Sequence, residues 1–192
     1  ASGEAAAMFE RAPGSENGGV ISIHKDLMDA MPQDACSVSM WVNVKDDSLD
    51  DYNGFFGNNN GKQFHIWRQQ ANKVYYAIGG ASEQVSLTTT IDDGVWYHIG
   101  MTFDGANMHG YWEGILEKTH AYTGGFTTAT TAIGAYYPAG AHSLEGRMAD
   151  VRVFPSALTS GNMATLAAIN PATNVSGTYA DPDNDLGAIG WW

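Results

Sequence analysis

Residues 92–114, DDGVWYHIGMTFDGANMHGYWEG, constrain the fold more than any other stretch of the chain. Val95, Tyr97, Ile99, Met101 and Phe103 alternate with Trp96, His98, Gly100 and Thr102. A period of two puts these sets on opposite faces of a β-strand. Asp104-Gly105 supplies a turn, and residues 107–113 (NMHGYWE) return as a second strand before Gly114. A lone hairpin is only marginally stable in water, so further strands must cover it.

Such strands recur at short intervals. Residues 19–24, 36–44, 52–57, 62–69, 73–79, 83–90, 115–122, 130–137 and 146–154 each read as a strand bounded by turn residues. Asn60-Gly61 marks a hairpin between 52–57 and 62–69. In 36–44, Cys36, Val38, Met40, Val42 and Val44 share one face, and Ser37, Ser39, Trp41 and Asn43 the other. Helical signals are sparse. Lys25 to Met31 predicts one short turn ended by Pro32, and 159–169 (TSGNMATLAAI) a short helix capped by Thr159 or Ser160. The pattern predicts an all-β protein: a two-sheet antiparallel jelly-roll sandwich with one short C-terminal helix and an extended C-terminal arm. Its divisions are an N-terminal arm (1–17), the jelly-roll domain (18–170) and the C-terminal arm (171–192), with no internal repeat.

Charge narrows the partners. Nine Lys and Arg against 21 Asp and Glu give a net charge of −12, which disfavours nucleic acid and anionic membrane surfaces. No apolar run reaches the ~18 residues of a membrane span. The lone Cys36 excludes an internal disulfide, and its place at the head of a core strand predicts a buried, inert thiol. The Ala-Ser start fits either removal of an initiator Met or cleavage of a secretory signal.

Several pieces, taken in order, resemble a known family. They are SVSMWVNV (37–44), then Trp96, His98, Thr102, Asp104, Gly105, Tyr111 and Gly114 in the hairpin, then Ile133-Gly134. The ending carries Leu144, Gly146, Asp150-Val151-Arg152-Val153, Ala157-Leu158-Thr159 and Leu166. Their spacing over residues 18–170 is similar to that of the laminin-G-like, or concanavalin A-like lectin/glucanase, jelly-roll superfamily, with a pentraxin-related pattern. The resemblance implies the sandwich and makes Trp96 and His98 structural. It leaves function open, because this architecture carries lectins, adhesion modules, lyases and virion proteins. Pentraxin-like relatives bind calcium through acids and amides after the Ile-Gly strand. Here that stretch is GAYYPAGAH (134–142), without a carboxylate, so that site is not expected. Asp46, Asp47, Asp50 and Asp51 are the alternative calcium ligands, and a solvated charged turn is their plainer reading. No other cofactor is implied.

Catalytic patterns are missing. No Glu begins the E-x-D-x-x-E pattern of glycoside hydrolases on this fold, and no G-x-S-x-G elbow, phosphate loop or zinc spacing occurs. Gln63, His65 and Arg68 in QFHIWR are a loose echo of polysaccharide lyases, with few basic residues to hold a polyanion. The chain is therefore read as non-enzymatic. For binding sugars, Tyr52, Asn53, Trp67, Trp112, Tyr136 and Tyr137 offer rings and an amide. Leu186, Ile189, Trp191 and Trp192 give the C-terminal arm an apolar tip, which either docks on a neighbour or packs back on its own sandwich. The first reading is a structural or adhesive surface module, such as a virion decoration protein or an extracellular filament subunit. It would assemble through its arms with copies of itself or a capsid or filament neighbour, at a virion surface or outside the cell. The alternative is a carbohydrate-binding, lectin-like module that meets cell-surface glycans, and the two can overlap. A polysaccharide lyase is the distant alternative.

Overall fold

The computed structural model describes residues 6–11, 15, 17–29, 32–45, 52–57, 64–69, 71–78, 84–169 and 190–191. The first half of the chain gives β1 (Ala7–Phe9), β2 (Ile21–Ile23), α1 (Lys25–Asp29), β3 (Cys36–Val44), β4 (Asn53–Gly57), β5 (His65–Gln69), β6 (Lys73–Ala77) and β7 (Val85–Thr90). The second gives β8 (Trp96–Phe103), β9 (Asn107–Trp112), β10 (Ile115–Ala121), β11 (Thr131–Ile133), β12 (Gly146–Phe154), α2 (Ser160–Ala167) and β13 (Gly190–Trp191). They make two antiparallel sheets. One runs β1-β12-β3-β8-β9-β10 with β13 also on β12, and the other β2-β11-β4-β5-β6-β7. The all-β sandwich with a short C-terminal helix is the architecture the alternation predicts.

The core lies between the sheets. Cys36, Val38, Met40, Val42 and Val44 of β3 are fully buried with Phe55, Phe56, Ile66, Val74 and Leu87 from the facing sheet. Burial pushes the Cys36 thiol well above its ordinary range, which keeps it protonated and inert. Gly110 on β9 makes the close packing possible. A Cβ there would stand 2.3 Å from Tyr76 Cε1 and 2.8 Å from Leu87 Cδ2.

The polar face of β3 is covered as well. After β12 the chain crosses the outside of the seven-stranded sheet, where Ser37 Oγ donates to the Ser156 carbonyl at 2.7 Å and accepts from Leu158 N–H at 2.8 Å. Helix α2 then seats Met163 and Leu166 with Tyr111, Phe154 and Leu158 in a second apolar cluster. Its start is a capping box between Thr159 and Asn162. Beneath lies a buried polar layer. Ser39 Oγ and His98 Nε2 are 2.8 Å apart, and Arg152 Nε donates to Asp150 Oδ1 at 2.6 Å. Asp150, at φ 53°, is the extra residue of a β-bulge between Ala149 and Arg152. His98 is thus a packed histidine. Burial, and secondarily the Arg152 charge, lower its pKa to about 3.

Three departures from the sequence expectation matter. The strand expected at 130–137 ends at Ile133, because Gly134 takes φ 79° and turns the chain over the six-stranded sheet. Residues 7–9, expected in an arm, pair with β12 and bury Phe9 in the main core. Gly190–Trp191, also expected in an arm, pair along the backbone with Val153 and Arg152 of the same chain. Two- and three-residue strands carry too little periodicity to be read locally. Leu186, Ile189 and Trp192 lie outside the described residues, as do Asp46, Asp47, Asp50 and Asp51.

Candidate functional site

The outer face of the six-stranded sheet carries a continuous group of aromatic rings. Alternation on β5 puts His65, Trp67 and Gln69 on that face. The β5–β6 register sets Tyr75 opposite Trp67 and Ala77 opposite His65. The hairpin turn holds Ala71 and Asn72 at φ 58° and 57°. Three rings then run nearly parallel: His65 to Trp67 at 4.5 Å and 18°, and Trp67 to Tyr75 at 5.6 Å and 20°. Such offset stacking is favourable beyond simple burial.

The loop after Gly134 completes the group. It lies on β4 at Gly54, whose N–H donates to the His142 carbonyl at 3.0 Å. A Cβ on Gly54 would stand 1.9 Å from Tyr136 N and 2.0 Å from Ala135 C, so only glycine admits the loop. Tyr136 then meets His65 edge-on at 4.3 Å and Trp67 at 5.7 Å. It also touches Tyr52 at 5.4 Å, Tyr137 at 5.0 Å and His142 at 5.8 Å. Arg11 ties these parts together. Its Nε donates to the Ser143 carbonyl at 2.6 Å, and Nη2 to the Tyr52 carbonyl at 3.3 Å.

Burial divides the rings into support and surface. Trp67 and Tyr136 are buried, whereas Tyr52, Tyr75, Tyr137, Gln69 and His142 are half-buried. Trp67 Nε1 donates to Gln69 Oε1 at 3.1 Å, and Gln69 Nε2 donates to Tyr52 Oη at 2.8 Å. The amide is therefore held in one orientation beside the exposed rings. Burial lowers the His65 pKa to about 3 and pushes the Tyr136 phenol up. Both stay neutral at ordinary pH. The face is largely apolar and aromatic, with hydroxyls and an amide at its rim.

Of the residues expected to bind sugars, Tyr52, Trp67, Tyr136 and Tyr137 come together here. Asn53 does not join them. It pairs across strands with Arg68 on the opposite face of the sheet and is fully buried. Trp112 sits on β9 of the other sheet, 4.7 Å from Tyr97. His65, Gln69, Tyr75 and His142 were not expected. Tyr75 had a signal, since alternation through a hairpin at Ala71-Asn72 sets it beside Trp67. His142 had none. Gln63 lies outside the described residues, and His65 and Arg68 project from opposite faces of β5, with Arg68 Nη2 bound to Asn72 Oδ1 at 2.7 Å. The lyase-like pair is thus not assembled. Among the described residues no three His, Cys, Asp or Glu side chains converge as metal ligands, and no helix is long and apolar enough to cross a membrane.

The strand order and the covered sheets define a jelly-roll-type β-sandwich domain. Residues 15–164 match the concanavalin A-like lectin/glucanases superfamily, and the chain belongs to that superfamily. No curated protein matches it in sequence. Among solved structures, it is similar to a candidate carbohydrate-binding protein from Bacteroides ovatus, with TM-score 0.64 and 20% identity over 83% of this chain and 45% of that one. The chain thus spans less than half the length of that protein. It is also similar to the CBM40 domain of the Ruminococcus gnavus IT-sialidase bound to α2,3-sialyllactose, with TM-score 0.65 and 11% identity over 85% of this chain and 98% of that one. A pentraxin from Limulus polyphemus gives TM-score 0.55 and 18% identity over 70% of each chain. At these identities the likeness is one of fold.

Proposed function

We propose that the domain binds carbohydrate, without catalysis of its own, through the ring face of the six-stranded sheet. One observation carries this reading: the half-exposed Tyr52, Tyr75 and Tyr137 are braced by a buried Trp67–Tyr136 support and edged by the oriented Gln69 amide. Sugars present C–H groups to such rings and hydroxyls to such amides. A mostly apolar surface with a few fixed polar groups is the usual design of a small-molecule site. Two neighbours in fold, the candidate carbohydrate-binding protein from Bacteroides and the Ruminococcus domain bound to sialyllactose, support the same class. An extracellular or surface location follows from it, since that is where such glycans are met. The sequence ranked a structural or adhesive module first, and the geometry favours its carbohydrate-binding alternative.

Titration calorimetry against a panel of oligosaccharides tests the reading. Tyr75→Ala and Tyr137→Ala should each weaken binding about tenfold, as expected for losing one stacked ring at about 1.4 kcal/mol. Unchanged affinity in both variants would remove the ring face as the site.

Self-assembly keeps one observation in its favour. On β10, at the outer edge of the seven-stranded sheet, Ile115 is 71% and Leu116 41% exposed. Among the described residues no further strand pairs with β10, and an edge strand with apolar side chains invites pairing with a second copy. Sedimentation of the wild type and Ile115→Lys tests it. A monomer in both cases would leave carbohydrate binding alone.

A further inference from the structure

We infer that the end of the seven-stranded sheet where Tyr97, Trp112 and Ile115 meet docks a basic segment of another protein. The patch follows from register. A two-residue turn, Glu113-Gly114, joins β9 to β10 with both φ positive, at 50° and 75°. It sets Ile115 opposite Trp112, and Trp112 lies opposite Ile99 of β8. Directly paired residues share a face, so Trp112 and Ile115 stand on the core side of the sheet with Ile99. Tyr97, two residues before Ile99, joins them.

The core gives out along this row. Ile99 is buried, Tyr97 and Trp112 are half-buried against the main core, and Ile115 is 71% exposed. Val95, one step further along the same face, is 44% exposed. The Tyr97 and Trp112 rings meet at 4.7 Å and 39°. The core-side face therefore continues into solvent as a patch of two rings and two aliphatic side chains. Water satisfies an exposed amide or carboxylate but gains nothing from hydrocarbon, and a contiguous patch of this kind marks a contact surface. Tryptophan and tyrosine are also the residues that anchor such contacts best.

Charge selects the occupant. Asp92 Oδ2 accepts from the Tyr97 hydroxyl at 3.2 Å, and Glu113 Oε1 from the His98 backbone N–H at 2.6 Å, which fixes two carboxylates beside the rings. Burial pushes the Tyr97 phenol up, and the Asp92 and Glu113 charges add to it. Among the described residues no cation pairs with either carboxylate. Lys118, the cation of β10, lies opposite Gly110 and pairs with neither. A second copy would bring the same acids and a net charge of −12 to the contact, and repulsion disfavours it. A segment with Lys or Arg beside an aliphatic side chain meets the carboxylates and ring faces with its cations, and Ile115 with its hydrocarbon. The patch is separate from the ring face of the other sheet, so the inference stands whether or not the domain binds carbohydrate.

Fluorescence anisotropy with three short labelled peptides tests this. One alternates Lys and Leu, one Lys and Ser, and one Glu and Leu. The Lys-Leu peptide should bind at least tenfold more tightly than either of the others. Ile115→Ser leaves the charge unchanged at an exposed position and should weaken that binding about tenfold. Asp92→Asn and Glu113→Gln keep an accepting oxygen for Tyr97 and His98 but remove a charge. Each should weaken binding a few-fold and flatten its salt dependence. Asp26→Asn removes the same charge from α1 and should change neither. Equal binding of the Lys-Ser peptide, or wild-type binding by the Ile115→Ser protein, leaves only net-charge attraction and overturns the patch. Tighter binding of the Glu-Leu peptide overturns the basic partner. A wild-type dimer that Ile115→Ser dissociates in sedimentation gives the patch to a second copy and overturns it as well.

Discussion

Gly54→Ala tests how the ring face is built. Gly54 is not in a left-handed conformation, so an alanine backbone fits there and the only obstacle is space. The added Cβ would stand 1.9 Å from Tyr136 N, 2.0 Å from Ala135 C and 2.3 Å from Ala135 O. Ordinary contact needs about 3.5 Å, so the loop must retreat by about 1.5 Å. That stretches the 3.0 Å bond from Gly54 N–H to the His142 carbonyl beyond hydrogen-bond range. It also lifts Tyr136 from His65 and Trp67. Overpacking costs about 1–3 kcal/mol and the lost hydrogen bond about 1, for a total of about 2–4 kcal/mol. A domain of this size loses about 2–4 °C per kcal/mol, so melting should fall by about 5–15 °C in a protein that still folds. Thermal melts by circular dichroism measure the first effect, and oligosaccharide titration the loss of the Tyr137 contact. Gly94→Ala is the control. Nothing lies within 4 Å of its added Cβ, and its φ of 75° alone should cost about 1 kcal/mol without touching the ring face. A Gly54→Ala protein that melts within about 2 °C of wild type would refute the seating of the loop on β4.

Other expectations follow from the same contacts. His65 and His98 are neutral in the fold with pKa values of about 3, whereas the unfolded chain takes up these protons near 6.5. Their contribution to stability is therefore complete above about pH 6.5 and falls as pH drops toward 3, by about 5 kcal/mol each at the limit. Urea unfolding against pH should show stability falling between about pH 6.5 and 3, and a stability that does not fall over that window would contradict the burial of both rings. Thr159→Ala removes the capping oxygen that accepts from Asn162 N–H at 3.2 Å and should cost about 1 kcal/mol in urea unfolding. Gly110→Ala drives a Cβ into the Tyr76 ring between the sheets and should cost about 3 kcal/mol, more than Gly94→Ala by the same assay. Arg11→Ala leaves the Ser143 and Tyr52 carbonyls without its guanidinium and should cost about 2–3 kcal/mol, with a matching loss of ring-face binding.

Most of the longer strands, and which of their faces turn inward, are legible in the residue pattern. Strand limits at 36–44 and 146–154 could be read directly, because a period of two is a local property of the chain. So could the Asp104-Gly105 turn, where Asp104 Oδ1 accepts from Ala106 and Asn107 N–H at 2.9 and 2.7 Å. The local pattern also gave the rings Tyr52, Trp67, Tyr136 and Tyr137, though not their association. It grouped Asn53 and Trp112 with them on residue type alone. The remaining features depend on contacts between distant segments. Strand pairing set Tyr75 beside Trp67 and sent Asn53 to the other face with Arg68. A bare backbone at Gly54 admitted a loop some eighty residues away. The segment after β12 covered Ser37 on a face of β3 that polarity alone assigns to water. Pairing with β12 brought Met8 into line with Arg147, Asn43 and Trp96. These are relations between distant segments, fixed by register and close packing, and no local periodicity encodes them.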